Sequence, residues 1–280
     1  MKIGILADWL GMNSIEGNVR KAAEMGVEGV QLYAVEDELA PENMTMQKRE
    51  QYRKLMEDLH LEISAICGDM GKGGFAFADR NPERISRTKD IVDLTLDLGS
   101  HIITTHVGVV PHDMKHPRFQ IIADAMKELG DYAEKRGAVF AIETGPELSC
   151  DLLQMLKTVN SKGVGVNFDP ANLIMCHNEP AVQAVQNLKD YIVHTHAKDG
   201  LLIKKGNLEI MYGMVPAPAD YVKDTFYREV PLGEGDVHFE TYIPALKAVG
   251  YDGYLTIERE CGENPAHDIG IAVDFLKKLV

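Results

Sequence analysis

Residues 137–169 read GAVFAIETGPELSCDLLQMLKTVNSKGVGVNFD. After a glycine, the short apolar run VFAI ends in Glu143. A helix-period segment follows, and beyond Ser161-Lys162-Gly163 a second run, VGVNF, ends in Asp169. Two such runs separated by one amphipathic helix predict a strand, a crossover helix and a parallel strand. The same rhythm extends to both ends of the chain. Candidate strands lie at Lys2–Ala7, Gly29–Tyr33, Glu62–Cys67, Ile102–His106, Val139–Glu143, Val164–Asp169, Ile192–His196 and Tyr254–Glu258. Helix-period segments lie between them at Ser14–Met25, Thr45–Leu59, Pro82–Leu98, Arg118–Lys135, Leu148–Asn160, Pro180–Leu188 and Phe239–Val249, and Ala266–Leu279 closes the chain. Eight strands, each followed by a helix, predict one α/β domain over residues 1–280, a closed (β/α)8 TIM barrel. An open doubly wound sheet usually carries GxGxxG in its first turn, and GILADWLGMN does not.

The phrases EMGVEGV, DLGSHII, KRGAVFAI, SKGVGVNF and AVGYDGYL each end a helix at a glycine and start a strand within a few residues. The one irregular stretch is Lys198–Val237, an insertion after the seventh strand. It is far longer than an ordinary loop of this class, and its Met211, Tyr212, Met214, Tyr221, Phe226 and Tyr227 call for burial. The expectation is a lid over the barrel mouth, a contact between two copies of the chain in a homo-oligomer, or both.

In such a barrel the reacting groups project from the C-terminal strand ends. Four consecutive strands end in residues able to bind metal: Glu143, Asp169, His196 and Glu258. Period-2 alternation puts Phe140 and Ile142 on one face of the fifth strand, and Ala141 and Glu143 on the other. Likewise Val166 and Phe168 oppose Asn167 and Asp169, and Leu255 and Ile257 oppose Thr256 and Glu258. The bulky faces suit the surrounding helices; the small or polar faces, each ending in an acid, point into the barrel. Three converging carboxylates repel one another, and burying each without a partner costs several kcal/mol. A divalent cation resolves this. Three carboxylates and one imidazole form a mostly hard site, suited to Mn²⁺ or Mg²⁺, with Co²⁺ or Zn²⁺ as alternatives. Isolated polar strand ends and salt-bridge partners are the plainer reading of each residue alone.

Composition limits the partners. The chain has 280 residues and a net charge of −14, which disfavours nucleic acid and anionic membrane surfaces and says little about a neutral sugar. Four scattered cysteines without a CxxC pair read as reduced thiols. No apolar run approaches a membrane span, and the start is not a signal segment, so the expected compartment is the cytoplasm.

The words IETGPE (142–147), NFDPANL (167–173), HTHAKDG (194–200), PLGEGDV (231–237) and LTIERE (255–260) carry a resemblance. Together they resemble the xylose-isomerase-like family of sugar phosphate isomerases and epimerases, in order and along essentially the whole chain. The resemblance implies one divalent metal held by Glu143, Asp169, His196 and Glu258. It further implies that Glu143 and Glu258 act as acid and base on opposite faces of a small carbohydrate, as in the family's ketose 3-epimerases. Those epimerases carry a His where this chain has Asn172 and a substrate-binding Arg where it has Leu202. These departures leave the sugar unassigned, with His177 and Lys198 as nearby substitutes.

Further substrate contacts are expected from His106, Asn172, Lys198 and Trp9. For His106 the alternative is a satisfied core histidine, for Lys198 a salt bridge with Asp199, and for Trp9 plain packing. His194 reads as a deeper supporting residue, Arg259 and Glu260 as structural, and neither Cys67 nor Cys176 as a nucleophile. Isomerisation, epimerisation and dehydration share the first proton removal, so metal ligands alone do not choose among them. A non-catalytic sugar-binding barrel is the competing class. The related apurinic endonucleases need more histidine ligands than this chain places at strand ends.

Overall fold

The computed structural model describes residues 1–280. The apolar runs become β1 (Lys2–Leu6), β2 (Gly29–Tyr33), β3 (Glu62–Cys67), β4 (Ile102–Thr105), β5 (Val139–Glu143), β6 (Val164–Phe168), β7 (Ile192–Ala197) and β10 (Tyr254–Ile257), with β8 (Asp199–Leu202) and β9 (Tyr227–Val230) between the last two. The eight long-range partners are all parallel and close in the order β1-β10-β7-β6-β5-β4-β3-β2. This is the TIM barrel. Ala7, His106, Asp169 and Glu258, expected as last strand residues, lie one position beyond the ladders.

Outside the strands run α1 (Ile15–Glu24), α2 (Met46–Asp58), α3 (Asn81–Asp97), α4 (Pro117–Arg136), α5 (Ser149–Val159), α6 (Pro170–His177), α7 (Ala181–Leu188), α8 (Leu208–Met211), α9 (Phe239–Ala248) and α10 (Pro265–Leu276). Their apolar stripes meet the outward strand faces; Phe168 of β6, for example, stacks on Tyr242 of α9 with ring centres 5.6 Å apart. At Gly137 the backbone turns left-handed (φ 77°) and ends α4. The SKG phrase works differently: Asn160 takes the left-handed cap, and a side chain on Gly163 would collide with the Gly130 carbonyl on α4. Gly163 is a close-approach glycine, not a helix stop.

Helix α6 and the short elements of the insertion, β8, α8 and β9, are additions to the expected pattern. Helix α6 starts directly after β6, with Asp169 as its cap and Pro170 in its first turn; Pro170–Cys176 is buried throughout, so no amphipathic period marks it. Within the 198–237 insertion, β8 and β9 form an antiparallel pair, from Asp199 opposite Val230 to Leu202 opposite Tyr227. Asp199 fastens the other end of the insertion: its carboxylate accepts from the backbone N–H groups of Gly200, Gly233, Gly235 and Val237. That accounts for the acid of HAKDG and the glycines of PLGEGDV. No helix is long and apolar enough to cross a membrane.

Candidate active site

The four strand-end residues meet. One ligand atom each from Glu143, Asp169, His196 and Glu258 can be chosen so that all lie within 4.8 Å of one another, and all four residues are buried. His196 Nδ1 lies 3.0 Å from Glu258 Oε2, 3.3 Å from Asp169 Oδ2 and 3.6 Å from Glu143 Oε1. Local chemistry aims each group. Asp169 caps α6 through Oδ1, which accepts from Asn172 N–H at 2.8 Å and leaves Oδ2 to the cluster. Thr144 Oγ1 donates to Asp169 O and accepts from Asp169 N–H, both at 2.8 Å, tying the ends of β5 and β6 together. Glu143 accepts from Asn167 Nδ2 at 3.2 Å and from Asn172 Nδ2 at 3.1 Å, one on each oxygen.

Deeper in the barrel, Gln31 Oε1 lies 3.0 Å from His196 Nε2, and Gln31 Nε2 donates to Thr104 Oγ1 at 2.9 Å. Gln31 can thereby accept an Nε2–H, which would leave the Nδ1 lone pair for a metal ion, the outer-partner arrangement that orients an imidazole ligand. His194 sits below, bonded to Asn167 Oδ1 and Thr256 Oγ1 at 2.8 and 2.9 Å. Burial and the neighbouring His196 hold it neutral, far below the usual histidine value.

Lys198 pairs with Glu258 at 3.0 Å, Glu260 at 3.5 Å and Glu229 at 3.7 Å, and not with Asp199. Burial opposes the ammonium, but Glu258 and Glu260 outweigh it and raise Lys198 well above the usual lysine value. In turn, burial would raise Glu258, and Lys198 and His196 pull it below the usual carboxylate value. Arg259 is structural, bridging Glu229 at 2.9 Å and Asp268 at 2.8 Å. Glu260, read from the sequence as structural, lines the cavity and lies 3.5 Å from Lys198.

The cavity above the cluster measures about 390 Å³, the scale of a small-molecule site. His106, Asn172 and Lys198 line it with Glu143 and Glu258; Asp169 and His196 lie buried in the same cluster as those glutamates without lining it, and Trp9 and His177 do not line it either. Trp9 sits on the short helical turn after β1, 37% exposed. Sequence reasoning missed Asp69, whose Oδ2 lies 2.9 Å from His106 Nδ1, while His106 Nε2 lies 3.5 Å from Glu143 Oε1. Burial would lower His106, but Glu143 and Asp69 outweigh it and raise it to about 10. His106 is therefore a cation facing the cavity. Tyr212 of the insertion also reaches the cavity. Its hydroxyl is 3.5 Å from Cys176 Sγ, and its ring centre lies 5.1 Å from that of His106. A side chain on Gly145 would collide with the Tyr212 hydroxyl. The insertion thus covers its own barrel mouth, held by Met214 Sδ accepting from Val109 N–H and by an Arg118–Glu209 pair at 2.7 Å.

Glu147 of IETGPE is buried, with no side chain bonded to either oxygen, and burial raises it to about 8. Its folded value lies above its unfolded one, so the native state holds the extra proton between about pH 4.5 and 8 and stability falls as pH rises through that window. Glu147→Gln is expected to remove a slope worth on the order of a few kcal/mol. Melting temperatures of both proteins from about pH 5 to about pH 9 read it directly. A constant difference across that range would show the carboxylate ionised throughout.

The donor set fits a divalent cation. Burial should keep His196 neutral, yet Glu258 and Glu143 hold it protonated far above its usual value. A field that forces a proton onto a buried imidazole is one a dication satisfies by taking its place. Oxygen donors outnumber nitrogen three to one, which suits hard ions.

Comparisons with known proteins agree with this architecture. A model of the xylose isomerase-like TIM barrel matches residues 19–279. The crystal structure of a xylose isomerase domain protein from Planctomyces limnophilus superposes with a TM-score of 0.80 at 25% identity, covering 99% of this chain and 96% of that one. A probable 3-DHS dehydratase from Bacillus anthracis superposes at 0.75 with 20% identity over 99% of each chain, a likeness of fold. Among sequence relatives, an L-ribulose-5-phosphate 3-epimerase of Salmonella paratyphi C is 40% identical over 75 residues, 25% of this chain and 26% of that protein. The chain spans less than two thirds of the length of the curated relatives it matches.

Proposed function

Since the chain belongs to the xylose isomerase-like TIM barrel family, we propose that it is a metal-dependent isomerase or epimerase of a small carbohydrate, a ketose or related polyol ketone. The observation that carries the reading is that Glu143 and Glu258 line one cavity while their carboxylates face the same His196 nitrogen, 3.6 and 3.0 Å away. Glu143, Asp169, His196 and Glu258 would hold the ion, Mn²⁺ or Mg²⁺ by their chemistry. Bound there, the cation supplies Lewis-acid charge to a substrate carbonyl oxygen, favouring loss of the adjacent proton.

The chain's own groups handle that proton. Glu258, kept ionised by Lys198, accepts it; Glu143 on the other flank returns one that it has taken up from solvent, and Glu258 then releases its own to solvent. Lys198 beside Glu258 and His106 beside Glu143 present positive hydrogen-bond donors to the oxygens where charge develops. Asp69 fixes which ring nitrogen His106 shows the substrate. Return to the opposite face gives an epimer, and return to the neighbouring carbon gives an isomer. A dehydratase is the second reading, favoured by His106: a charged imidazole at the cavity can protonate a departing hydroxyl.

Metal analysis coupled to a screen for deuterium uptake from solvent into ketoses and inososes tests the proposal. Expected are about one divalent ion per chain and chelator-sensitive exchange. Exchange that survives complete chelation would sink the metal-dependent reading, and loss of water in place of exchange would select the dehydratase.

The insertion acts as a lid in this scheme. Deleting its tip, Met211–Pro218, removes Met211 and Tyr212 from the cavity and is expected to raise KM or lower kcat while the barrel melts as before. A deletion that instead turns a dimer into monomers at unchanged turnover would assign the segment to an interface.

A further inference from the structure

A groove of about 830 Å³ adjoins the active-site cavity, and Lys72 lines both. Lys72, Arg80, Arg84 and Arg87 are its cations. Arg87 is committed to Glu42, whereas Lys72, Arg80 and Arg84 form no ion pair, although Glu36, Glu83 and Asp90 share the lining. Arg84 Nη1 is buried without a hydrogen-bond partner, and an unsatisfied buried guanidinium N–H is unfavourable until a ligand acceptor meets it. In a chain of net charge −14, three unpaired cations at the edge of a reaction cavity are an anomaly that a ligand anion would remove.

The backbone places Lys72 deliberately. Gly71, Lys72, Gly73 and Gly74 all have positive φ, from 52° to 81°. A side chain on Gly74 would collide with the Val107 backbone, and Gly73 N–H donates to Tyr212 O at 3.1 Å. A left-handed lysine is costly, and this turn is locked beneath the insertion so that Lys72 reaches the rim of both spaces. Burial lowers Arg84, and the strongest opposing charge is Asp69, the carboxylate that holds His106 and lines the reaction cavity.

We propose that Lys72, Arg80 and Arg84 form an oxyanion-binding subsite, so that the carbohydrate reacting at Glu143 and Glu258 carries a phosphate monoester or a carboxylate at its far end. The guanidinium fork matches such oxyanions bidentately, and the lysine adds a point charge. The position of the reacting carbons rests on the function proposed above; the subsite itself rests only on its own three cations.

Inorganic phosphate is the first probe, titrated calorimetrically into the metal-loaded full chain. Binding is expected in the wild type and should weaken roughly tenfold in Arg84→Ala and in Arg80→Ala. Arg80 is exposed, so that variant reads the subsite even if the half-buried Arg84 proves necessary for folding. Kinetics then compare a ketose phosphate, a sugar acid of the same length and the neutral ketose. The anionic substrates should have the lower KM, and that advantage should shrink roughly tenfold in either variant. Preference for the phosphate or for the acid names the anion. No phosphate binding by the wild type, or equal binding in both variants, overturns the subsite. Turnover of neutral ketoses without any anionic advantage overturns it too, while leaving the proposed reaction standing. Phosphate binding that the variants lose, in a protein that exchanges deuterium into no ketose, upholds the subsite and overturns the reaction.

Discussion

Asp169→Asn and His196→Ala are each expected to strip the centre of its cation and take turnover to background. Losing the ion forfeits several kcal/mol of charge stabilisation, on the order of 10³-fold or more in kcat/KM. Asparagine is the informative choice at 169, because Oδ1 caps α6 by accepting from Asn172 N–H. Alanine would lose that cap, at about 1 kcal/mol, and confuse a folding defect with a ligand defect; Asn keeps an N-cap oxygen. A graded control comes from Gln31→Leu. It touches no carboxylate and releases His196 Nε2 together with the Thr104 hydroxyl, so metal affinity should fall by roughly 10–100-fold, the range for an outer partner of a metal-binding imidazole. Metal content after dialysis, with melting curves, reads all three. Full occupancy in Asp169→Asn and His196→Ala would mean that these four residues are not the ligands. A Gln31→Leu loss as deep as theirs would mean that Gln31 acts on the fold and not through His196.

The barrel was legible because its signals are local. Period-2 alternation depends only on strand geometry, so VFAIE, VGVNFD and YLTIE announce both a strand and the face of its terminal acid. Glu143, Asp169, His196 and Glu258 were found together since each ends a strand and neighbouring strands end at one rim. What depends on loops was harder to read. Asp69 lies past the end of β3, and nothing in GDMGKGG says that its carboxylate turns back to His106; the glycines marked only a turn. Tyr212 reaches the cavity from an insertion whose pairing, β8 with β9, spans two short strands far apart in sequence. Gln31, in the middle of β2, had an inward parity that could have flagged it. Its partner is on a strand 165 residues away, and a buried glutamine has no period of its own. Lys198, expected as a substrate contact with a salt bridge to Asp199 as the alternative, lines the cavity, and its partners are Glu258, Glu260 and Glu229. Asp199 in fact spends all its acceptor capacity on the backbone of 200–237. Trp9 shows the reverse error: an aromatic next to a strand end need not face the mouth.

Glu143→Gln and Glu258→Gln are each expected to lose on the order of 10²–10⁴-fold in kcat, the range for a removed acid or base, but for reasons that the hydrogen bonds make separable. Glu258 Oε2 lies 3.0 Å from Lys198 Nζ and 3.0 Å from His196 Nδ1, the nitrogen that would bind the ion. A glutamine there can keep its carbonyl oxygen toward Lys198 and turn its NH₂ away. Lys198 retains Glu260 and Glu229, so no buried charge is orphaned. Glu258→Gln should therefore melt close to the wild type, and its defect is chemical. Glu143 is placed differently: Asn167 Nδ2 donates to one oxygen and Asn172 Nδ2 to the other. A glutamine offers a single acceptor, so one amide donor must face another. That leaves a buried donor unsatisfied, at about 1–3 kcal/mol, and Glu143→Gln should show a lower melting temperature besides its lost turnover. Metal content must be matched in both before rates are compared, since a lost ion mimics a lost base. With metal in place, one variant should still exchange the substrate's proton with solvent deuterium without completing turnover, because the first proton transfer survives when only the second group is removed. Near-normal turnover in metal-loaded Glu258→Gln would end the two-glutamate mechanism and pass the base role to another group at the cavity, with Glu260, beside Lys198, the next carboxylate to replace.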